Sequence, residues 1–521
     1  MKLVAPALGP SVITLCIASV LLAGCGGSDD DSKSGGGSSE YVDGGSFTMA
    51  MAGDPGKLDP QSSASTQLFT VNQLAYDNLL SVAGKTGESE SQLATEWTVD
   101  GTTVTLTLAD GVTCADGSDF TATTVADNIA YVGDEKNKSA YLGTFLPVGA
   151  TAKADDAAGT VTITLAQPAP FVLNGLASLP MVCDAGMKDR ASLAAKTSGT
   201  GPYELTEAVP GDHYTYKIRK GYTWGPDGAT TAEKGLPVTV TMKVIQHEGT
   251  TTNLLLSGDV NAASVQGPDA KRLEAAKLFS TKTPAMVGEQ WYNHDSGHET
   301  SAADVRMALT QALDLDQLAS VATAGTGTPA TTLAAIQPVS CPGDSISGAL
   351  PAQDVEAAKG VLAGKKLTFI YSSAAGSAVG AAAELAVQQW EAAGATVTSK
   401  GVDETALQGA IFGTGDWDIA WVPLNVNSPD QLVPFLSGAG LADGGTNFSG
   451  IDNPDYTAGV EEASATNGSD GCDAWLDAES KLVAAADIVP FANNQVKTYG
   501  NGAEFEYPGQ FVPTSIRMVA K

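Results

Sequence analysis

Strand-like and helix-like segments alternate along most of this chain, and that alternation limits the folds open to it. Polar and apolar residues alternate with a period of two in residues 46–51 and 104–108, which predicts strands. Apolar residues recur at helical spacing in residues 67–80, which predicts a helix. Further strands are predicted at 161–165, 238–245, 367–371 and 418–422, and further helices at 123–131, 302–313 and 379–393. Thr123 or Thr124 is the expected N-cap of the helix at 123–131. We therefore expect a mixed α/β fold with two unlike halves.

The chain is too long for one hydrophobic core. It has 521 residues, whereas single cores stop growing beyond about 250–300 residues. Apolar residues make up 43% of the sequence and charged residues 17%, which excludes a chain that is disordered throughout. We therefore expect at least two lobes.

The charge balance excludes one class of partner. Acidic residues number 59 and basic residues 28, which gives a formal net charge of −31. Such a surface repels phosphates and anionic lipid headgroups, so we expect no nucleic acid partner.

Residues 1–24 have the pattern of a secretory signal peptide. Lys2 precedes an almost wholly apolar stretch, whose length alone would also allow a membrane span. Its end, Leu22-Ala23-Gly24-Cys25, resembles a bacterial lipobox, in which the cysteine thiol receives a diacylglyceryl group. The alternative is a buried cysteine that ends an ordinary signal peptide. We expect a lipidated Cys25 to begin the mature chain and residues 25–45 to form a Gly/Ser-rich tether at the outer face of the cell membrane.

Several short motifs follow one another in an order that is typical of one family. They are Leu58-Asp59-Pro60, Tyr76-Asp77-Asn78-Leu79-Leu80, Leu93-Ala94-Thr95-Glu96-Trp97, Leu108-Ala109-Asp110-Gly111-Val112, Gly199-Thr200-Gly201-Pro202-Tyr203, Leu255-Leu256-Ser257-Gly258-Asp259-Val260, Asp304-Val305-Arg306-Met307-Ala308 and Gly415-Asp416-Trp417-Asp418-Ile419. Together they resemble the extracellular solute-binding proteins of ABC importers, of the oligopeptide, dipeptide and nickel type (family 5). The resemblance runs from about residue 46 to the end of the chain. One departure is Cys114, which stands where the family usually has an aromatic residue.

The resemblance implies a large, two-lobed fold of the type II periplasmic binding proteins, with an extra subdomain in lobe I. We place lobe I at 46–285 with the subdomain at about 83–194, lobe II at 286–485, and a return to lobe I at 486–521. The implied partners are a small-molecule or peptide ligand and the permease and ATPase subunits of an ABC importer. We expect a monomer that binds its solute by lobe closure, without chemistry and without a cofactor.

Four cysteines remain once Cys16 leaves with the signal peptide and Cys25 carries lipid. Cys114, Cys183, Cys341 and Cys472 form an even set, which in an exported chain predicts two disulfides with three possible pairings. We favour Cys114–Cys183 and Cys341–Cys472, because each pair stays within one predicted lobe. Free buried thiols are an alternative. A zinc site is disfavoured, because no two of the four have the spacing of a zinc knuckle.

The resemblance also implies which segments contact the ligand. They are the loop after Leu58-Asp59-Pro60, the first crossing strand, and the loop that follows the strand at 418–422. In this sequence the residues of those segments that are expected to contact the ligand are Ser63, Ser65, Thr66, Gln67, Trp291, Tyr292, Asn293, Trp421, Leu424, Asn425 and Asn427. The alternatives are a solvated loop for the first four residues, hinge packing for the next three, and core packing for Trp421.

The position of Asn427 bears on the ligand's charge. In peptide-binding relatives this loop commonly carries an Asp that pairs with the ligand's amino terminus. Asn427 accepts a hydrogen bond but cannot neutralise a charge. A zwitterionic peptide is therefore disfavoured, unless Asp430 takes that place. Nickel is also disfavoured, because His294 and His298 flank a Ser-Gly loop.

Two other functions compete with solute import. A secreted hydrolase would need an activated serine, a carboxylate pair or a metal constellation, and the sequence has no Gly-x-Ser-x-Gly or His-Glu-x-x-His motif. We therefore do not expect an enzyme. A receptor that presents its ligand to a sensor would have the same two lobes, so this alternative stays open.

Overall fold

The computed structural model describes residues 40–63, 65–83, 88–336, 339–466 and 468–520. The predicted signal peptide at 1–24, the predicted lipidation site Cys25 and the tether up to residue 39 lie outside the described residues. Within the described ranges, no helix is long and apolar enough to cross a membrane.

Within the part of the chain that the structure describes, the strands fall into one large sheet and three small ones. Their bounds are β1 Ser46–Met51, β2 Leu80–Val82, β3 Ser89–Ser91, β4 Ala94–Asp100, β5 Thr103–Leu108, β6 Thr151–Asp155, β7 Thr160–Thr164, β8 Tyr203–Val209, β9 His213–Ile218, β10 Thr239–Val244, β11 Ala262–Ser264, β12 Phe279–Tyr292, β13 Lys366–Ser372, β14 Thr396–Val402, β15 Ile419–Trp421, β16 Ile488–Gly500, β17 Ala503–Glu504 and β18 Arg517–Met518.

The α-helices lie mostly between these strands in the sequence. Their bounds are α1 Thr66–Ala75, α2 Ala122–Gly133, α3 Val172–Leu176, α4 Asp184–Lys188, α5 Glu248–Ser257, α6 Gly267–Ala275, α7 Ala303–Gln311, α8 Leu315–Ala322, α9 Val355–Leu362, α10 Ser377–Ala392, α11 Glu404–Gly409, α12 Val433–Leu436, α13 Pro454–Ser464 and α14 Cys472–Ala484.

The large sheet is organised around two long antiparallel strands. Its order is β14-β13-β15-β12-β16-β11-β1-β10-β9-β8. The central pair, β12 and β16, runs from Phe279 opposite Gly500 to Trp291 opposite Ile488, with a bulge near Gly288. The early residues of β12 lie on the side of β11 and β1, whereas its last three pair with β15. These two strands therefore carry the chain from one half of the sheet to the other.

Each half of the sheet has its own hydrophobic core. Phe47, Met49 and Val240 pack together around β1 and β10. Phe369 and Trp390 pack together around β13 and α10, on the other side of the central pair. Two cores on either side of a two-strand crossing confirm the two-lobed α/β fold.

A separate four-stranded sheet builds the extra subdomain in the first half. Its order is β4-β5-β7-β6, and Val104 and Leu106 on β5 are buried against Ile129 of α2. Thr121 is the N-cap of α2, because its hydroxyl accepts from the Thr124 amide. The prediction of Thr123 or Thr124 as N-cap was therefore wrong by two or three residues.

The first helix is shorter than its apolar pattern predicts. Helix α1 ends at Ala75, because Tyr76 is extended, and Leu80 already belongs to β2. The Ala75 carbonyl accepts from the amide of Gly201 over 3.1 Å, so a distant turn ends the helix. A side chain at Gly201 would overlap this backbone, since its Cβ would lie 2.4 Å from the Ala75 carbonyl carbon.

The structure contains two disulfides, Cys114–Cys183 and Cys341–Cys472. They close loops with sequence separations of 69 and 131 residues. This is the pairing that the predicted lobes favour, and it leaves none of the four cysteines free.

Candidate functional site

A cavity of about 130 Å³ with a mixed polar and apolar lining lies where segments from both sides of the crossing meet. From the first lobe it is lined by Gln73 at the end of α1 and by Asn78 and Gln92 near β2 and β3. Gln510 reaches it from the C-terminal tail. Ile336 and Asn427 reach it from loops that follow β12 in the sequence. The cavity therefore has walls from both lobes.

Asp77 is the charged residue among those described around this cavity, and donors already surround its carboxylate. Oδ1 accepts from Gln92 Nε2 at 2.9 Å and from the Tyr222 hydroxyl at 2.8 Å. Oδ2 accepts from the Thr200 hydroxyl at 2.8 Å and from Trp224 Nε1 at 3.1 Å. Burial raises the pKa of Asp77, and the four donors oppose that rise. The carboxylate therefore holds the wall together.

Two glutamines join the first lobe to the C-terminal tail at the cavity. Gln73 Nε2 donates to Gln510 Oε1 over 2.7 Å, across a sequence separation of 437 residues. An amide side chain has both donors and acceptors, so this bond uses part of the capacity of each residue. Gln73, Asn78, Gln92 and Gln510 were not predicted as site residues, because no local sequence pattern marks a Gln or Asn side chain as part of a cavity.

The loop after β15 is pinned to the crossing strand. Asn425 Oδ1 accepts from the Met286 amide at 2.8 Å, and its Nδ2 donates to the Met286 carbonyl at 3.2 Å. The Leu424 amide donates to Glu289 Oε2 over 2.7 Å. Both residues were predicted to contact ligand, and their polar atoms here position the loop.

Asn427 is the predicted site residue that lines the cavity. Its carbonyl accepts from the Ser340 amide at 2.8 Å, and its own amide donates to Gln431 Oε1 at 3.2 Å. Its side-chain Oδ1 is buried and has no hydrogen-bond partner. The backbone is therefore fixed, and one buried acceptor is left for another donor.

Asp430 does not line this cavity, although it lies three residues further along. Its Oδ1 accepts from the Ser428 hydroxyl over 2.5 Å. Burial raises the pKa of Asp430 to about 6, which disfavours its charged form.

Glu289 is a fully buried carboxyl group on the crossing strand. Its Oε2 accepts from the Leu424 amide and, over 3.3 Å, from Trp291 Nε1. Its Oε1 has no partner. Burial raises the pKa of Glu289 to about 8, so the group is mainly protonated at neutral pH.

The predicted residues on the crossing strand are buried in the protein's own packing. Trp291 packs on Phe448 at 4.8 Å between ring centroids, and its Nε1 donates to the Val422 carbonyl. The Tyr292 hydroxyl contacts Gln290 and Thr310. These contacts correspond to the hinge-packing alternative.

Asn293 and Trp421 are buried as well. Asn293 Nδ2 donates to the carbonyls of Gly415 and Trp417. Trp421 packs on Phe369 and donates from Nε1 to Gln290 Oε1 over 3.1 Å. Trp417 precedes β15, which begins at Ile419, and belongs to a different core cluster from Trp421.

The four predicted residues of the first loop lie at the start of α1. Ser65 is the N-cap and accepts from the Leu68 amide, while Ser63 Oγ accepts from the Ser65 amide. Thr66 is exposed and Gln67 is half-buried beside Gly53. None of them is among the described residues that line the cavity. Ligand contact by these four, and by the buried residues of the crossing, stays a prediction.

The two histidines considered for metal binding make separate contacts. His294 lies near Asp487, at 4.0 Å, and burial lowers its pKa to about 3. His298 Nδ1 lies 3.2 Å from Asp418 Oδ1. Across the described residues, no group of three or more His, Cys, Asp or Glu side chains could hold a metal ion.

The subdomain also touches the second half of the chain next to the cavity. Asn174 Nδ2 donates to Ser340 Oγ over 3.1 Å. Phe171 packs on Trp475, with ring centroids 6.3 Å apart, beside the Cys341–Cys472 disulfide. The walls of the cavity are therefore held together by contacts between the lobes.

Known proteins resemble this chain in sequence and in fold. The family model described as "Bacterial extracellular solute-binding proteins, family 5 Middle" matches residues 88–443. The glutathione-binding protein GsiB of Escherichia coli O1:K1 / APEC is 27% identical over 329 residues, which cover 61% of this chain and 59% of GsiB. GsiB of Escherichia coli K12 is 29% identical over 283 residues, 53% of each chain. The chain thus matches between half and three-fifths of the length of these relatives.

Solved structures match over nearly the whole chain. A substrate-binding protein from Microbacterium hydrocarbonoxydans, complexed with 4-hydroxybenzoate hydrazide, has a TM-score of 0.80 at 27% identity and covers 91% of this chain and 99% of its own. A dipeptide-binding protein from Pseudoalteromonas sp. SM9913, in complex with Met-Leu, has a TM-score of 0.76 at 17% identity and covers 91% of this chain and all of its own. The second likeness concerns the fold alone.

Proposed function

The chain belongs to the bacterial extracellular solute-binding proteins of family 5, and we propose that it captures a peptide-like or other small polar solute and delivers it to the permease of an ABC importer. The single observation that carries this proposal is the cavity with walls from both lobes, lined by Gln73 and Gln510 on one side and by Asn427 on the other. A ligand held there would contact both lobes at once, so binding would favour the closed form.

Relatives support the class of solute. GsiB is named for glutathione, and the Microbacterium protein was solved with an aromatic hydrazide. Both ligands contain amide or hydrazide groups, which can form hydrogen bonds with the amide side chains that line this cavity.

We also propose lobe boundaries at the two long central strands. We place lobe I at 46–285 with its subdomain at about 83–194, lobe II at 286–485, and the return segment at 486–521. The register supports the first boundary, because Ala285 pairs with Asn494 in the middle of the central strands. We place the second crossing near residue 485, shortly before β16 begins at Ile488.

We also propose that a lipid on Cys25 anchors the protein to the cell membrane. The support is the sequence Leu22-Ala23-Gly24-Cys25 at the end of an apolar leader. Cys25→Ala is expected to move the protein into the soluble fraction of cells, while Cys16→Ala, within the leader, leaves it in the membrane fraction. Continued membrane retention of the Cys25→Ala protein would contradict the anchor.

Mass spectrometry of small molecules released from the purified protein tests solute binding directly. The Cys25→Ala chain is purified without denaturant, and its released cargo is identified and added back. The expected results are a rise in Tm and a smaller radius of gyration in X-ray scattering, because the ligand binds the closed form. A protein that releases nothing, and whose Tm and scattering do not respond to glutathione, Met-Leu or 4-hydroxybenzoate hydrazide, would contradict the proposed function.

A further inference from the structure

The cavity between the lobes offers hydrogen bonds without a free charge. We propose that it selects an uncharged ligand, one that places an amide or hydroxyl donor beside Asn427 and not an ammonium group. This inference rests on the proposed function, because it names the class of solute for the same cavity.

The first support is the side chain of Asn427. Asn427 lines the cavity, and its Oδ1 is buried and has no hydrogen-bond partner. A buried acceptor without a partner destabilises the protein, and a ligand donor would remove that cost. An amide oxygen cannot neutralise a cation, so an ammonium group would be desolvated here without a counter-charge.

The second support is the state of the nearest carboxylate. Asp77 is 2% exposed, and each of its oxygens already accepts two hydrogen bonds. A carboxylate has about four lone-pair sites, so the donors from Gln92, Tyr222, Thr200 and Trp224 fill them. A ligand cation could pair with Asp77 only by displacing one of these donors.

The other carboxyl groups near the loop after β15 form hydrogen bonds within the protein. Asp430 bonds the Ser428 hydroxyl, and Glu289 bonds the Leu424 amide. Neither is among the described residues that line the cavity. They do not supply the missing counter-charge.

The lining also disfavours an anionic ligand. The described lining contains no lysine, arginine or histidine, so a ligand carboxylate would have no cationic partner. Its polar side chains include the amides Gln73, Asn78, Gln92 and Gln510, and amides offer donors and acceptors together. Such a lining matches a neutral ligand that carries amide or hydroxyl groups.

Two dipeptide probes with the same side chains and different terminal charges test this selectivity. Ala-Leu is zwitterionic at neutral pH, whereas N-acetyl-Ala-Leu amide is neutral. Binding of each to the Cys25→Ala chain is measured by isothermal titration calorimetry after removal of retained cargo. We expect the neutral probe to bind at least 10-fold more tightly.

A charge introduced at the cavity supplies the matched variant. Asn427→Asp is expected to shift the preference toward Ala-Leu by 10-fold or more, because it gives the ammonium group a counter-charge. Asn137→Asp adds the same charge at an exposed position of the subdomain and is expected to leave the preference unchanged.

Three results would overturn the inference. They are equal or tighter binding of Ala-Leu to the unsubstituted cavity, binding of neither dipeptide, and release of a permanently charged cargo from the purified protein. The proposed function fails on a different result, which is the absence of any released or stabilising solute. The two failures are therefore distinguishable.

Discussion

Asn174 of the subdomain donates to the Ser340 hydroxyl of the second lobe over 3.1 Å. Ser340 also donates its backbone amide to the carbonyl of Asn427, which lines the cavity. This short chain of hydrogen bonds connects the contact between the lobes to the candidate ligand site.

Removing the Asn174 side chain is predicted to weaken ligand binding without unfolding the protein. One neutral hydrogen bond contributes about 0.5–1.5 kcal/mol. Asn174→Ala would make the closed form less stable by that free energy relative to the open form. The Kd for released cargo is therefore expected to rise about 2–10-fold. The measurement is calorimetric titration, with scattering of the unliganded protein. Asn137→Ala is the control, because Asn137 bonds the Tyr131 carbonyl within the same subdomain. An unchanged Kd for Asn174→Ala would mean that this contact does not contribute to closure.

The Cys341–Cys472 disulfide is predicted to contribute strongly to the stability of the second lobe. Its sequence separation of 131 residues means that it restricts the unfolded chain more than Cys114–Cys183, with 69. Replacing both Cys341 and Cys472 by Ser is expected to lower the free energy of unfolding by about 2–5 kcal/mol. Thermal unfolding with and without reductant measures this loss. A Tm equal to that of the oxidised parent would contradict the prediction.

The sequence predicts those elements whose pattern is local. The strand at 104–108 appears as β5, because alternating burial leaves a period of two in the sequence. The end of α1 could not be predicted in this way. It depends on Gly201, more than a hundred residues away, which donates its amide to the Ala75 carbonyl.

The candidate site is predictable only where a motif fixes the register. Counting from Asp418 brings Asn427 to the ligand loop, and Asn427 does line the cavity. The Gln73–Gln510 pair has a separation of 437 residues and no motif, so only the fold brings it together. Trp291 and Tyr292 were placed correctly on the crossing strand, but the sequence does not reveal which face of the strand is covered.

The Asp77 carboxylate is predicted to stabilise the folded protein through the hydrogen bonds that it accepts in the cavity wall. Asp77→Asn would replace one acceptor oxygen by an NH₂ group, which faces either Gln92 and Tyr222 or Thr200 and Trp224. The resulting donor–donor contacts are expected to lower the free energy of unfolding by about 1–3 kcal/mol. Urea unfolding gives the midpoint and slope for this variant. Asp110→Asn, at an exposed position, is the control. Equal urea midpoints for the two variants would contradict the predicted stabilising role of Asp77.

Glu289 is predicted to make the protein less stable as the pH rises. Burial raises its pKa from 4.5 to about 8, so the folded state binds the proton more tightly than the unfolded chain does. The stability from this group is therefore present below pH 4.5 and is lost as the pH rises from about 4.5 to 8. Glu479, whose pKa burial raises to about 7, adds to the same trend.

The uncharged variant Glu289→Gln separates this effect from the rest of the titration. Its side-chain oxygen can still accept from the Leu424 amide, and it carries no ionisable group. Relative to the parent, its free energy of unfolding is expected to rise between pH 5 and pH 9 by on the order of a few kcal/mol. Denaturant unfolding at several pH values measures the difference, with the exposed Glu461→Gln as control. A difference that stays constant across this range would mean that Glu289 is ionised in the folded protein already at pH 5.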